Sequence, residues 1–157
     1  MFFLGRETFV PSVADTAPKL GEAQVVVDNS SKHKKSVTVV ASGPLLHQAL
    51  LASKALEEKG VGSIVINPLI INNPDTGKVK KALEKSEGRL ITVEDHQLVA
   101  GMGSMLCHKL ANEGCALKLR SLGVGGEFGQ SAYSALELYQ KHGLDSASIV
   151  KAANELL

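Results

Sequence analysis

The stretch whose reading decides the fold is Gly88-Arg89-Leu90-Ile91-Thr92-Val93-Glu94-Asp95-His96, continued by Gln97-Leu98-Val99-Ala100-Gly101-Met102-Gly103-Ser104. Leu90 to Val93 reads as a short apolar strand that stops at three polar side chains. Gly101 and Gly103 then form a Gly-x-Gly turn that opens a helix. A strand, a glycine turn and a helix in this order are the repeating unit of parallel α/β architecture.

The alternation continues on both sides. Downstream, the helix runs from about Gly101 to Asn112 and closes near Gly114, and Ala116–Arg120 is a last strand. Gly123 to Gly129 is too glycine-rich for regular structure. Two helices follow, the first from Ala132 to His142 with Gly143 as its stop. Asp145 caps the second, with Leu144 and Ile149 at the positions of a hydrophobic staple and Ile149, Val150, Ala153 and Leu157 on its inner face. Upstream, Ser63–Asn67 is a strand and Asp75 caps a helix carrying Val79, Ala82 and Leu83. Ser42-Gly43-Pro44 starts a helix whose stripe is Leu45, Ala49, Ala52 and Leu56, with Gly60 as its stop. Gln24–Val27 and Val37–Ala41 are β-rich runs joined by a polar turn, most simply an antiparallel pair. The expected fold class is α/β: a three-layer α/β/α sandwich on a mostly parallel, five-stranded mixed sheet. Val37–Ala41 should lie inside it, with Gln24–Val27 antiparallel at an edge.

A chain of 157 residues is one domain's length, and 44% hydrophobic with 21% charged residues suits a globular protein. A formal net charge of +1 speaks against an electrostatic nucleic-acid binder. The basic run Lys32-His33-Lys34-Lys35 reads as a solvated loop. Cys107 and Cys115 have no metal or redox spacing and read as two buried thiols of a reducing compartment. Met1 to Arg6 is too short an apolar run for a signal peptide, so a cytoplasmic location is the default expectation. Residues 1–20 look unlike the rest. Phe2-Phe3-Leu4 is a strand fragment without an early partner, and Pro11 and Pro18 follow in an irregular segment. They are expected to be the tail of a preceding domain plus a linker, poorly packed on residues 21–157 or in contact with another chain.

Glu94, Asp95 and His96 sit where a parallel strand ends, the usual place for ligands on open α/β sheets. A carboxylate beside an imidazole can transfer protons. The alternative is that Glu94 or Asp95 accepts hydrogen bonds from free amides at the following helix start. Gly101-Met102-Gly103 lacks the third glycine of a dinucleotide loop and reads better as a tight packing turn. His47 and His108 have no second ligand three or four residues away, so no metal site is expected. His33 and His142 read as exposed. No self-contained catalytic set is visible.

The chain resembles the C-terminal domain of the transketolase family over its whole length. Val37–Gly43 followed by Leu46-His47 resembles that domain's first strand and helix, and Ile66-Asn67-Pro68 its second strand and exit. Gly88 to His96 with Gly101 and Gly103 is the most specific piece, and Glu94-Asp95-His96 is similar to animal-type transketolases. Phe128-Gly129-Gln130-Ser131-Ala132 resembles the family's late loop. Phe3-Leu4-Gly5-Arg6 resembles the closing strand of the middle, pyrimidine-binding domain. The resemblance therefore implies that Arg6 contacts the phosphate of a sugar substrate, which a guanidinium suits by bidentate bonding.

The same resemblance implies a pentose-phosphate-pathway enzyme, a homodimer when complete, that moves a two-carbon ketol unit between sugar phosphates. It uses thiamine diphosphate and a divalent metal, magnesium or calcium, held by two earlier domains that this sequence lacks. The segment itself is then expected to carry no cofactor, to be inactive alone, and to need the thiamine-binding and pyrimidine-binding domains as partners. No nucleic acid or membrane partner is expected. Deoxyxylulose-phosphate synthases and 2-oxoacid dehydrogenase β subunits share this domain and remain the alternative. So does a stand-alone α/β module binding a ligand at the Glu94–Gly103 edge, or a purely structural dimerisation domain.

Overall fold

Short β-rich runs buried on both faces build the centre of the sheet. The computed structural model describes residues 17–157. Its strands are β1 (Gln24–Asp28), β2 (Ser36–Ala41), β3 (Gly62–Asn67), β4 (Arg89–Gln97) and β5 (Lys118–Val124). Its helices are α1 (Leu45–Glu58), α2 (Thr76–Lys85), α3 (Met102–Asn112), α4 (Ala135–His142) and α5 (Ser146–Leu156). The spatial order is β1-β3-β2-β4-β5, with β2 to β5 parallel and β1 antiparallel to β3. The expected five-stranded mixed sheet, with Val37–Ala41 at its centre and Gln24–Val27 antiparallel at an edge, is borne out.

The antiparallel β1–β2 pair is not. β3 lies between those strands, and the connection Asn29–Lys35 passes across its start. Asn29 accepts the Ser63 amide at 2.6 Å, and the Gly62 amide donates to Lys35 O at 2.8 Å. A Cβ on Gly62 would fall 2.9 Å from Ser30 Cα, so the strand start needs glycine for the chain to cross there. A polar run of this length reads alike whether it makes a hairpin or steps over a neighbouring strand. Lys32, Lys34 and Lys35 are exposed, as expected of a solvated connection.

Strand side chains alternate faces, so a central parallel strand feeds two cores. Val37, Val39 and Ala41 of β2 pack with Leu45, Ala49 and Leu56 of α1 and Ile149 and Ala153 of α5. Val40 packs on the other face with Ile64, Ile66 and Leu90, under Val79 and Leu83 of α2 and Leu106 and Leu110 of α3. A fully buried leucine such as Leu56 contributes about 2 kcal/mol by its removal from water. The caps fall where the sequence places them. Asp75 accepts the Gly77 amide at 2.8 Å and, through its other oxygen, the Ala23 amide at 3.0 Å, tying the start of β1 to α2. Asp145 accepts the Ser148 amide at 3.1 Å, with Leu144 and Ile149 both buried beside it.

Several boundaries move. α4 begins at Ala135 behind a Ser134 cap instead of at Ala132. β5 lies two residues later than expected and runs into the glycine run, because β4 does not stop at Val93 but continues to Gln97 and pairs it with Val124. Cys107 and Cys115 are half-buried instead of buried, and His33 and His142 half-buried instead of exposed. Arg6 and the three phenylalanines at positions 2, 3 and 9 lie outside the described residues, as does most of the expected tail. No helix among the described residues is long and apolar enough to cross a membrane.

Candidate functional site

The end of β4 and the start of α3 form the site that the sequence singles out. Glu94 is 1% exposed, and both its carboxylate oxygens are taken by the helix start. Oε2 accepts the Met102 amide at 2.6 Å and Oε1 the Gly103 amide at 2.8 Å. The first amides of a helix have no partner within it, and the aligned peptide dipoles favour an anion there. Glu94 supplies that anion from eight residues upstream. The two glycines make the room. A Cβ on Gly101 would lie 2.4 Å from Gln97 O and 2.6 Å from Glu94 Oε2, and one on Gly103 would lie 2.5 Å from Thr92 Oγ1. Gly101 has an ordinary extended backbone at φ −76°, so space and not conformation demands glycine. The Gly-x-Gly turn is a seat for a side-chain carboxylate, which occupies amides that a phosphate would otherwise use.

Asp95 and His96 turn outward. His96 Nδ1 is 3.5 Å from Asp95 Oδ1 and 4.0 Å from Glu94 Oε2, with half of the imidazole in solvent. A contact so exposed contributes little to stability. The structure thus brings Glu94, Gly101 and Gly103 into one tight motif and leaves Asp95 and His96 on the rim of a neighbouring cleft of about 530 Å³. Phe128, Leu138, Tyr139 and His142 form its other wall.

Two structural features are absent from the sequence reading. Gln97 clamps the glycine-rich loop: its Nε2 donates to Glu127 O at 2.9 Å and its Oε1 accepts the Gly126 amide at 2.9 Å. Its place one residue after His96, on the same strand edge, was the available signal. Arg89, at the opposite end of β4 and 6% exposed, donates to Ser86 O at 3.1 Å, Leu156 O at 3.2 Å and Ser36 O at 3.4 Å. No local pattern announces that arginine.

The chemistry available is limited. Burial, and then the charge of Glu94, push the Cys107 thiol above its ordinary range, so it is not a ready nucleophile. Among the described residues no three His, Cys, Asp or Glu side chains are grouped to hold a metal ion. Glu94, the one fully buried carboxylate among the described residues, has both oxygens engaged by backbone amides.

A parallel α/β/α domain with a carboxylate-capped helix after a central strand is the class of protein that the fold and the site define. Residues 23–149 match the family model described as "Transketolase, C-terminal domain", and the chain belongs to that family. It is 30% identical over 137 residues to a "Putative transketolase C-terminal section" of Methanocaldococcus jannaschii, covering 87% of this chain and 40% of that protein. It is 33% identical over 138 residues to a 1-deoxy-D-xylulose-5-phosphate synthase of Desulfitobacterium hafniense, covering 87% of this chain and 21% of that one. Among solved structures it is similar to a chain titled "Split gene transketolase, inactive beta4 tetramer". The TM-score is 0.83 at 27% identity, over 98% of this chain and 48% of that chain. The chain therefore spans less than half the length of these relatives.

Proposed function

We propose that this chain is the C-terminal part of a thiamine-diphosphate-dependent transketolase, which moves a two-carbon ketol unit between sugar phosphates, and that its own role is assembly. The observation that carries the reading is the engagement of Glu94. The most buried carboxylate of the family-specific stretch holds its own helix start through both oxygens and has none left for a substrate. Its resemblance to a transketolase C-terminal section and to a split-gene transketolase supports this.

The described residues do not fit the cofactor. Thiamine diphosphate needs a divalent metal on its diphosphate and a free carboxylate facing its aminopyrimidine. The described residues group no three metal-ligating side chains, and Glu94 is not free. No catalytic step is assigned to them. Cofactor and metal belong, in this reading, to the thiamine-binding and pyrimidine-binding domains, with which residues 21–157 assemble into a cytoplasmic dimer. Residues 1–20 are read as the tail of the pyrimidine-binding domain plus linker. Arg6 on that tail holds the substrate phosphate by charge-assisted bonds worth about 1.5–3 kcal/mol.

The test is reconstitution. The isolated chain should bind no thiamine diphosphate and transfer no ketol group between a ketose phosphate and an aldose phosphate. Adding the thiamine-binding part encoded in the same genome should restore transfer. In that complex Arg6→Ala should raise the Michaelis constants of phosphorylated sugars about ten- to a hundredfold and leave unphosphorylated ones nearly unchanged. Turnover by the isolated chain, or a complex that decarboxylates pyruvate but transfers no ketol group, would reject the reading.

A further inference from the structure

We infer that the carboxyl end of the sheet, from the close of β4 through the 125–134 loop to α4, is the surface on which the thiamine-binding remainder of the enzyme seats. The inference rests on the proposed function and adds to it a face and a chemistry. Among the described helices, α1, α2, α3 and α5 each bury three or more residues, and α4 buries none. A short helix carrying Leu136 and Leu138 does not hold itself against a sheet without burying a face.

The most exposed large apolar side chains gather at the same end. Leu20 is 95% exposed, Val99 86%, Phe128 95% and Tyr133 102%. Leu20 precedes β1, Val99 follows β4, and Phe128 and Tyr133 follow β5, all beyond the carboxyl ends of the parallel strands. The opposite end carries exposed Lys34, Lys35 and Glu113 in its connections and Glu58 at the end of α1. Val25 and Leu51, exposed elsewhere, are each only 40% exposed, so the strongest apolar exposure is concentrated at one end, which marks a protein interface more than a solvent face.

The direction of the chain identifies the occupant. β1 is antiparallel, with Gln24 opposite Asn67, so Leu20 to Ala23 arrive at the carboxyl end of β3. Whatever precedes them in a longer relative approaches this end. The cleft of about 530 Å³ between Asp95-His96 and α4 can take an apolar side chain of that partner. Its rim carries two carboxylates beside His96 and His142: Asp95 and Glu127, neither with a lysine or arginine partner among the described ion pairs. The matching surface is apolar with basic side chains around it.

The experiment uses the whole 157-residue chain and the separately expressed thiamine-binding part from the same genome. Sedimentation measures complex formation, and hydrogen exchange locates it. The expected result is a complex in which amides of residues 125–142 become protected. Phe128→Ser with Tyr133→Ser should weaken it by about tenfold or more, with the melting temperature of the free chain unchanged. Leu51→Ser, an exposed control on α1, should leave it intact. The inference is overturned by absence of a complex, by protection elsewhere, or by equal affinity of the double variant. It is also overturned if the isolated chain self-associates through this face, making a second copy the occupant. A complex through this face without ketol transfer would sink the proposed activity and keep the interface. Full transfer with the double variant would do the reverse.

Discussion

Glu94 and Gly103 are bonded across the turn between β4 and α3: the Glu94 Oε1 accepts the Gly103 amide at 2.8 Å. The approach is possible only because residue 103 has no side chain, since a Cβ there would lie 3.0 Å from that same oxygen. A carboxylate side chain and a missing one are thus two halves of one device that starts a helix. It also explains how a buried carboxylate can be tolerated, because two amides and the helix dipole replace its hydration.

Removing the carboxylate should therefore cost stability. Glu94→Ala leaves the Met102 and Gly103 amides buried and unpaired, at about 2–4 kcal/mol. Glu94→Gln keeps one acceptor oxygen and should lose about half as much. Urea unfolding of both variants checks this. Equal and small losses would show that water replaces the carboxylate freely.

Gly103→Ala tests the space. Alanine is a better helix former than glycine by about 1 kcal/mol, so a free position would be stabilised. Contact with Thr92 Oγ1 at 2.5 Å instead predicts a loss of about 1–3 kcal/mol. Thr92→Ala added to Gly103→Ala should recover part of that loss. A stabilised single variant would refute the packing argument.

Arg89 ties the far end of the same strand to the last residues of the domain, and Arg89→Met should cost about 2–4 kcal/mol because buried carbonyls lose their donor. Exchange of amides at the end of α5 should rise first, because Leu156 O is one of those carbonyls.

Asp28 carries a pH dependence. Burial opposes ionisation there, yet the Lys85 ammonium at 2.6 Å and the Ser30 hydroxyl together hold the carboxyl below its usual range. Its folded value is depressed, so its stabilisation is present above the unfolded value of about 4 and disappears as pH falls through the folded one. Asp28→Asn should lower stability at pH 7 by no more than about 1 kcal/mol, and the difference from the wild type should vanish in acid. Denaturation curves at neutral and acid pH read this directly, and a difference that persists in acid would show another cause.

The parts of this protein legible in its sequence are those that depend on near neighbours along the chain. The β-rich run of Val37 to Ala41, the cap residues Asp75 and Asp145 and the glycine at Gly143 act within a few residues, so they define element type and most boundaries wherever the rest of the chain goes. The same holds for Glu94 as a partner for helix amides, since strand, turn and helix are contiguous. What only the tertiary structure decided is long-range. The placement of β3 between β1 and β2 depends on contacts of Asn29 with Ser63 and of Lys35 with Gly62, and a polar connection does not encode which strand it crosses. The extension of β4 to Gln97 requires β5 to pair with it. Arg89 finds carbonyls 53 and 67 residues away. Local preference is written into each short segment, whereas pairing and burial are collective, because each strand's partner exists only once the whole sheet has closed around it.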